Sequence, residues 1–452
     1  MKTTPPMASG KNQADRGAIL PAWLCSGLFG AFLALTVLKL GNPPIMAKFV
    51  ERPADLAEWI ITAWPLEVGY WLLGVVAVAG LFGARLSAGL PKWLLALPLV
   101  WLGWQFVSAT QSVDAELTRL TLKHFVACVV CFYLGYCCLS RDRRPYAFWI
   151  PLMGAFAVVV AVGFDQHFGG LEETRKYFYA YVYPNLPTVP PDYLKKISSD
   201  RIFSTLFYPN SLAGVILLLL PPLLGMIWQA RRLTIASRGL LMGLFAAGAL
   251  ACLYWSGSKG GWLLALMLAL VALLHLPLAN RTKVIVVAVV SLCGVTGFFV
   301  KYASFFERGA TSVVARFDYW RAALQTVAVN PVFGTGPGTF GVAYLAIKNP
   351  ESEMSRLTHN DYLQQASDSG VVGFASYLAM VLSVLLRGYT KPKDADGVVR
   401  FLVWLGFLGW ALQSTMEFGL YIPALAWPAF SLAGWLLAAQ PERSSPIKPP
   451  GA

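Results

Sequence analysis

RIFSTLFYPNSLAGVILLLLPPLLGMIWQARR, residues 201–232, decides the fold: one arginine stands before about 20 apolar residues, and two more follow them. A stretch of that length matches the hydrocarbon core of a bilayer, where backbone groups must bond to each other within a helix. The pattern recurs. About twelve such stretches are centred near residues 30, 78, 100, 128, 154, 217, 247, 269, 292, 378, 407 and 430. The whole chain of 452 residues agrees with this, being 57% hydrophobic and 13% charged, with a mean hydropathy of +0.58. It is too apolar for a water-soluble globule, and the lack of period-two alternation excludes a β-barrel. An all-α integral membrane bundle follows.

Placing the N-terminus in the cytoplasm puts every even-numbered gap inside. Those gaps carry Arg85 and Lys92, Arg141, Arg143 and Arg144, Arg231, Arg232 and Arg238, Arg281 and Lys283, then Arg387, Lys391, Lys393 and Arg400. The net charge of +13 is therefore a topological signal and not a nucleic-acid one. The reading gives a cytoplasmic tail at 1–18, helices one to five in 19–164, an outside loop at 165–206 and helices six to nine in 207–301. A long outside loop at 302–368, helices ten to twelve in 369–440 and a cytoplasmic tail at 441–452 complete it. Lys2, Lys11 and Arg16 before a long first apolar stretch favour an uncleaved signal anchor.

The same threading sends Arg201, Lys259, Arg316 and His359 to one side, the outer one. Cations gathered on one face of a membrane protein point to an anionic ligand. Arg201 and Arg316 each have an alternative as interfacial, snorkelling arginines. Residues 312–330 have helical periodicity, with Phe317, Trp320, Leu324 and Val327 on one face and Arg316 falling on that apolar side. Lys259 lies in SGSKGGW (256–262), a tight turn that is no Walker loop and whose glycines could expose N–H groups to an anion. Asn210 is expected to pack against another helix.

His359 lies in THNDYLQQASDSG (358–370). Thr358 and Asp361 have capping-box spacing, so a helix is expected to begin at His359 with Asp361 as a cap. A helix N-terminus disfavours imidazolium, leaving a neutral ring able to accept a proton. The glycine-rich NPVFGTGPGTFG (330–341) is expected to serve close backbone packing. The aromatic loop around Tyr177–Tyr193 suits a membrane interface better than sugar stacking. All seven cysteines lie in or at the ends of apolar stretches, so Cys128 and Cys131 read as packing residues. No metal-ligand spacing occurs in the outside loops, and a metal-free, cofactor-free mechanism is the expectation. A solute transporter would show charges at the helix midpoints and paired broken helices; the apolar stretches show neither.

In order along the chain stand Arg201 with Pro209-Asn210, Ser258 with Gly260, Arg316 with Trp320, Asn330-Pro331 with Gly334 and Gly336, and His359-Asn360 with Leu363. This set resembles the O-antigen ligase superfamily of polytopic membrane proteins. The resemblance implies a GT-C-like glycosyltransferase bundle in the bacterial inner membrane, both termini cytoplasmic, with its active site in the periplasm. It implies transfer of a glycan from undecaprenyl diphosphate to a sugar hydroxyl on lipid A-core, with inversion. A polymerase or a protein O-glycosyltransferase would use the same donor. By the same resemblance Arg201, Arg316 and Lys259 would hold the diphosphate, His359 would act as base, and Asn360, Trp320 and Asn210 would support them. The family often has arginine where Lys259 stands; lysine keeps the charge without the planar fork.

Overall fold

The computed structural model describes residues 22–83, 90–139, 146–185, 194, 197–307 and 311–438. Among them there is no strand. A helix stands at each of the twelve expected centres. They are α1 (Ala22–Lys39), α2 (Leu66–Gly83), α3 (Lys92–Ala109), α4 (Ala115–Cys137), α5 (Tyr146–Asp165), α6 (Pro209–Gln229), α7 (Ile235–Trp255), α8 (Lys259–His275) and α9 (Asn280–Glu307), then, beyond a break, α12 (Asp361–Gly388), α13 (Ala395–Gln413) and α14 (Pro423–Leu437). Eight helices among the described residues are long and apolar enough to cross a membrane, and α2, α8 and α14 are shorter apolar helices. The protein is a multi-pass membrane protein.

The break at 302–368 is not an unstructured loop. α9 runs on to Glu307, and two further helices follow, α10 (Thr311–Val329) and α11 (Phe340–Ile347). α10 buries Tyr319, Ala322 and Ala323 against Phe340 and Tyr344. Its Phe317 and Leu324 are exposed instead. The buried face is thus not the one drawn from periodicity: Tyr319, Ala322 and Ala323 pack inward with Trp320 partly covered beside them, while Phe317 and Leu324 face out. The first outside loop holds a short helix, Leu56–Ile61, whose Leu56, Ile60 and Ile61 are exposed, as suits a segment lying along the interface.

The apolar core closes on Trp101, which is fully buried. Its ring lies 4.7 Å from that of Phe125 and 5.8 Å from those of Tyr377 and Phe430, drawing α3, α4, α12 and α14 together. α7 and α9 are mostly exposed along their lengths, the surface that meets lipid.

The start of α12 differs from the capping-box expectation. Asn360 is the N-cap, its side chain accepting from Leu363 N–H at 3.0 Å, and the helix begins at Asp361. Asp361 does not cap; it is fully buried and accepts from Leu420 N–H at 2.8 Å. Two turns on, α12 kinks at Gly370, whose φ is 69°. There it trades backbone hydrogen bonds with the glycine-rich loop: Thr335 N–H donates to Ser367 at 3.1 Å, Gly336 N–H to Asp368 at 2.8 Å, and Val371 N–H to Pro331 at 2.8 Å. The Asp368 carboxylate accepts from Gly338 N–H at 2.8 Å. Close backbone packing is what those glycines serve.

A Cβ at Gly370 would stand 1.9 Å from the Val332 carbonyl oxygen, in a conformation reserved to glycine. Gly370→Ala is therefore expected to cost on the order of 3 kcal/mol or more, from backbone strain and overpacking together. The check is thermal unfolding in detergent, where an unchanged midpoint would contradict this clamp.

Candidate functional site

Four of the residues singled out from the sequence converge on one that was not, Glu417. It sits in the turn between α13 and α14, where Glu417 N–H bonds to Gln413 at 2.9 Å. Asn210, in the first turn of α6, donates to Glu417 Oε1 at 2.6 Å. The Arg316 guanidinium, from α10, donates to the same oxygen through Nη2. His359 Nδ1 lies 3.1 Å from the other oxygen, Oε2. Arg201 joins through Asn210, its Nη2 donating to Asn210 Oδ1 at 2.9 Å while its Nε donates to the Ser256 carbonyl at 2.7 Å. Gln413 completes the frame by donating to the Asn210 carbonyl at 2.8 Å.

Local geometry fixes each partner. Arg201 rests on the turn between α7 and α8, where Gly257 has a φ of 62° and a Cβ would come within 3.2 Å of Arg201 Nε. Ser258 caps α8, accepting from Gly261 N–H at 3.2 Å. His359 has a φ of 53° and Ser204 one of 56°, the two non-glycine residues with positive φ among those described. Both lie in the segments that deliver site residues, where such strain tends to gather. The His359 ring stacks on Tyr319 with centroids 5.8 Å apart and meets Phe418 edge-on at 4.8 Å. It precedes the helix instead of opening it, and its electrostatic partner is a carboxylate, not a helix N-terminus.

The charges are unbalanced. Lys259 begins α8 and its ammonium lies 5.1 Å from the Tyr302 ring; Arg201 and Arg316 are near enough to repel it. Burial lowers the Arg201 guanidinium from its ordinary value, with Glu417 opposing that effect and Arg316 adding to it. Burial alone would raise the Glu417 carboxyl, but the His359 hydrogen bond and the charges of His359, Arg316 and Arg201 outweigh it and hold Glu417 below its ordinary value. A depressed carboxyl stabilises the fold above the usual carboxylate range, and that contribution is lost as pH falls through its folded value. The site should thus hold together through neutrality and come apart in acid. Two arginines thus share one carboxylate, and Arg316 Nε is buried with no hydrogen-bond partner among the described residues.

Two expected supports stand apart. Asn360 acts on the backbone of α12 as its N-cap. Trp320 packs edge-on against Phe317 at 5.6 Å, and its indole N–H is buried with no partner among the described residues. His124 is structural: buried, 2.7 Å from the Leu420 carbonyl and accepting from the Trp427 indole at 3.2 Å. Asp361 and Asp368, two buried carboxylates of α12, accept from the backbone N–H groups of Leu420 and Gly338.

Residues 243–378 match the model of the family described as O-antigen ligase. Over this segment, well under half of its length, the chain is similar to that family. The matched segment holds Lys259, Arg316 and His359 and leaves Arg201, Asn210 and Glu417 outside it. A protein of Haemophilus influenzae (strain ATCC 51907 / DSM 11121 / KW20 / Rd), described as uncharacterized, is 26% identical over 151 residues, covering 28% of this chain and 38% of that protein. The chain thus spans well under half the length of that relative.

Proposed function

We propose that this O-antigen ligase-like protein is a twelve-span glycosyltransferase of the bacterial inner membrane, with both termini in the cytoplasm and its reaction at the periplasmic face. The donor is a glycan on undecaprenyl diphosphate and the acceptor a sugar hydroxyl of lipid A-core. The observation that carries this reading is the gathering of Arg201 and Arg316 at a single carboxylate, with Lys259 near both arginines. Such a cluster has surplus positive charge for an anion with more than one negative charge, which a diphosphate is.

The chemistry follows from the leaving group. The acceptor oxygen attacks the anomeric carbon from the side opposite the diphosphate, and configuration inverts. The bond from that carbon to the phosphate oxygen breaks, and its electron pair leaves with the diphosphate. Diphosphate is a stable anion, so it needs cations more than a proton, and Arg201 and Arg316 supply them; Lys259 adds a third charge without bidentate geometry. The acceptor proton passes to Nε2 of His359, because Nδ1 is turned to Glu417. Asn210 holds Arg201 and Glu417 in register. No metal is required by this scheme, since the cations carry the charge.

A polymerase of the same glycan, or a protein O-glycosyltransferase, would share the donor half of the mechanism and differ in the acceptor. A lipopolysaccharide gel from a deletion strain tests the choice. Loss of the ladder, with polymerised glycan retained on the lipid carrier and the ladder restored by the wild-type gene, supports ligation. An intact ladder overturns the lipid A-core acceptor.

A further inference from the structure

The two oxygens of Glu417 do different work. Oε1 accepts from Arg316 and from Asn210; Oε2 faces His359 alone among the described residues. The Arg316 guanidinium is only partly satisfied by this arrangement, since its Nε is buried with no partner among the described residues and its Nη1 reaches the Ser312 carbonyl at a long 3.4 Å. A planar guanidinium is better matched by two oxygens side by side, as a phosphoryl group offers them. Glu417 therefore occupies, with one oxygen, a seat that a phosphoryl group would fill with two. Its side chain comes from the short turn between α13 and α14, and that turn also sets Phe418 against both His359 and Tyr208.

From this geometry we infer that Glu417 is an internal counter-anion that yields Arg316 to the donor's diphosphate and then turns its charge to His359. It is a positioning residue, acting through Arg316 and His359, and the inference rests on the diphosphate reading given above. In the empty enzyme Glu417 neutralises part of the cation cluster and keeps Arg316 in place. When the diphosphate takes Arg316, Oε1 keeps only its neutral Asn210 donor, and the carboxylate's charge is left to the imidazole, orienting Nδ1–H and leaving Nε2 to take the acceptor proton. Donor binding and readiness of the base are thereby tied to one side chain, so that an acceptor arriving first meets a histidine not yet set.

The test uses the full-length protein in lipid nanodiscs, with inorganic pyrophosphate as the binding probe and steady-state transfer as the activity. Glu417→Gln keeps the shape but removes the competing charge. It is expected to bind pyrophosphate about tenfold more tightly than wild type while its kcat falls at least about tenfold and its KM for donor does not rise. Glu417→Asp, with the charge kept one methylene short, is expected to lie between the two on both readouts. A residue that merely holds the fold would lose binding and turnover together; weaker pyrophosphate binding by Glu417→Gln, or an unchanged kcat, overturns the inference. Wild type and Arg316→Lys separate this from the diphosphate reading. If wild type binds pyrophosphate, Arg316→Lys does not, and Glu417→Gln binds no tighter, the counter-anion role alone falls. If wild type does not bind pyrophosphate and Arg316→Lys leaves the KM for donor unchanged, the diphosphate reading falls as well.

Discussion

His359→Ala is expected to lower kcat by about 10²- to 10⁴-fold, the range a positioned base contributes, with insertion and expression intact. The expectation rests on three contacts: Nδ1 is 3.1 Å from Glu417, Tyr319 stacks on one face of the ring, and Phe418 meets it edge-on. Such a ring can turn very little, so Nε2 is held where the acceptor proton must go. The backbone at φ 53° is a further constraint that the surrounding packing has to maintain. Removing the ring leaves the cation cluster untouched, so KM for the donor should change little and the loss should fall on kcat. Transfer at the wild-type rate by purified His359→Ala would remove the residue from the mechanism.

Arg316→Lys keeps the charge and is nonetheless expected to reduce kcat/KM by about 10²-fold, close to 2.7 kcal/mol of transition-state stabilisation. The reason is shape. Lysine brings a point charge on a flexible stem; it has no counterpart of the buried Nε that Arg316 holds without a partner among the described residues, and it cannot grip two phosphoryl oxygens at once. The negative charge grows on the leaving diphosphate during bond breaking, so part of the loss should appear in kcat. Activity near that of wild type would mean that Arg316 serves only to balance Glu417.

How much of this was legible in the sequence differs between fold and site. The helices stood out because runs of about 20 apolar residues have no other stable arrangement in lipid, and a helix lies at each expected centre. The region between α9 and α12 was harder. Its helix α10 was visible by period, but which side is buried was not, because Tyr319 with Ala322 and Ala323 forms a core contact that large-residue periodicity does not flag. The start of α12 was misplaced by two residues: Thr358 and Asp361 have capping-box spacing, yet Asp361 is taken by Leu420 N–H and Asn360 does the capping.

In the site, the cations were legible since charge is rare in this chain and all of them fell on one side. Glu417 was missed, although a signal existed: it is a lone acid in STMEFGLYIP (414–423), at the outer end of two apolar stretches, where a carboxylate needs a partner. What no one-dimensional pattern could provide was the convergence of residues 201, 210, 316, 359 and 417 through three-dimensional packing. The fate of Asp368 is similar. Nothing in the sequence singles it out, and its carboxylate anchors the glycine-rich loop through Gly338 N–H.

The central claim is that a lipid diphosphate is the leaving group, and one measurement addresses it directly. Purified protein in nanodiscs is mixed with undecaprenyl diphosphate-linked glycan and lipid A-core, with a chelator present, and free undecaprenyl diphosphate is quantified against ligated product. Stoichiometric release with each glycan transferred, unaffected by the chelator, is the expected result. Transfer without release of the diphosphate, or no transfer until a divalent ion is restored, would contradict the account.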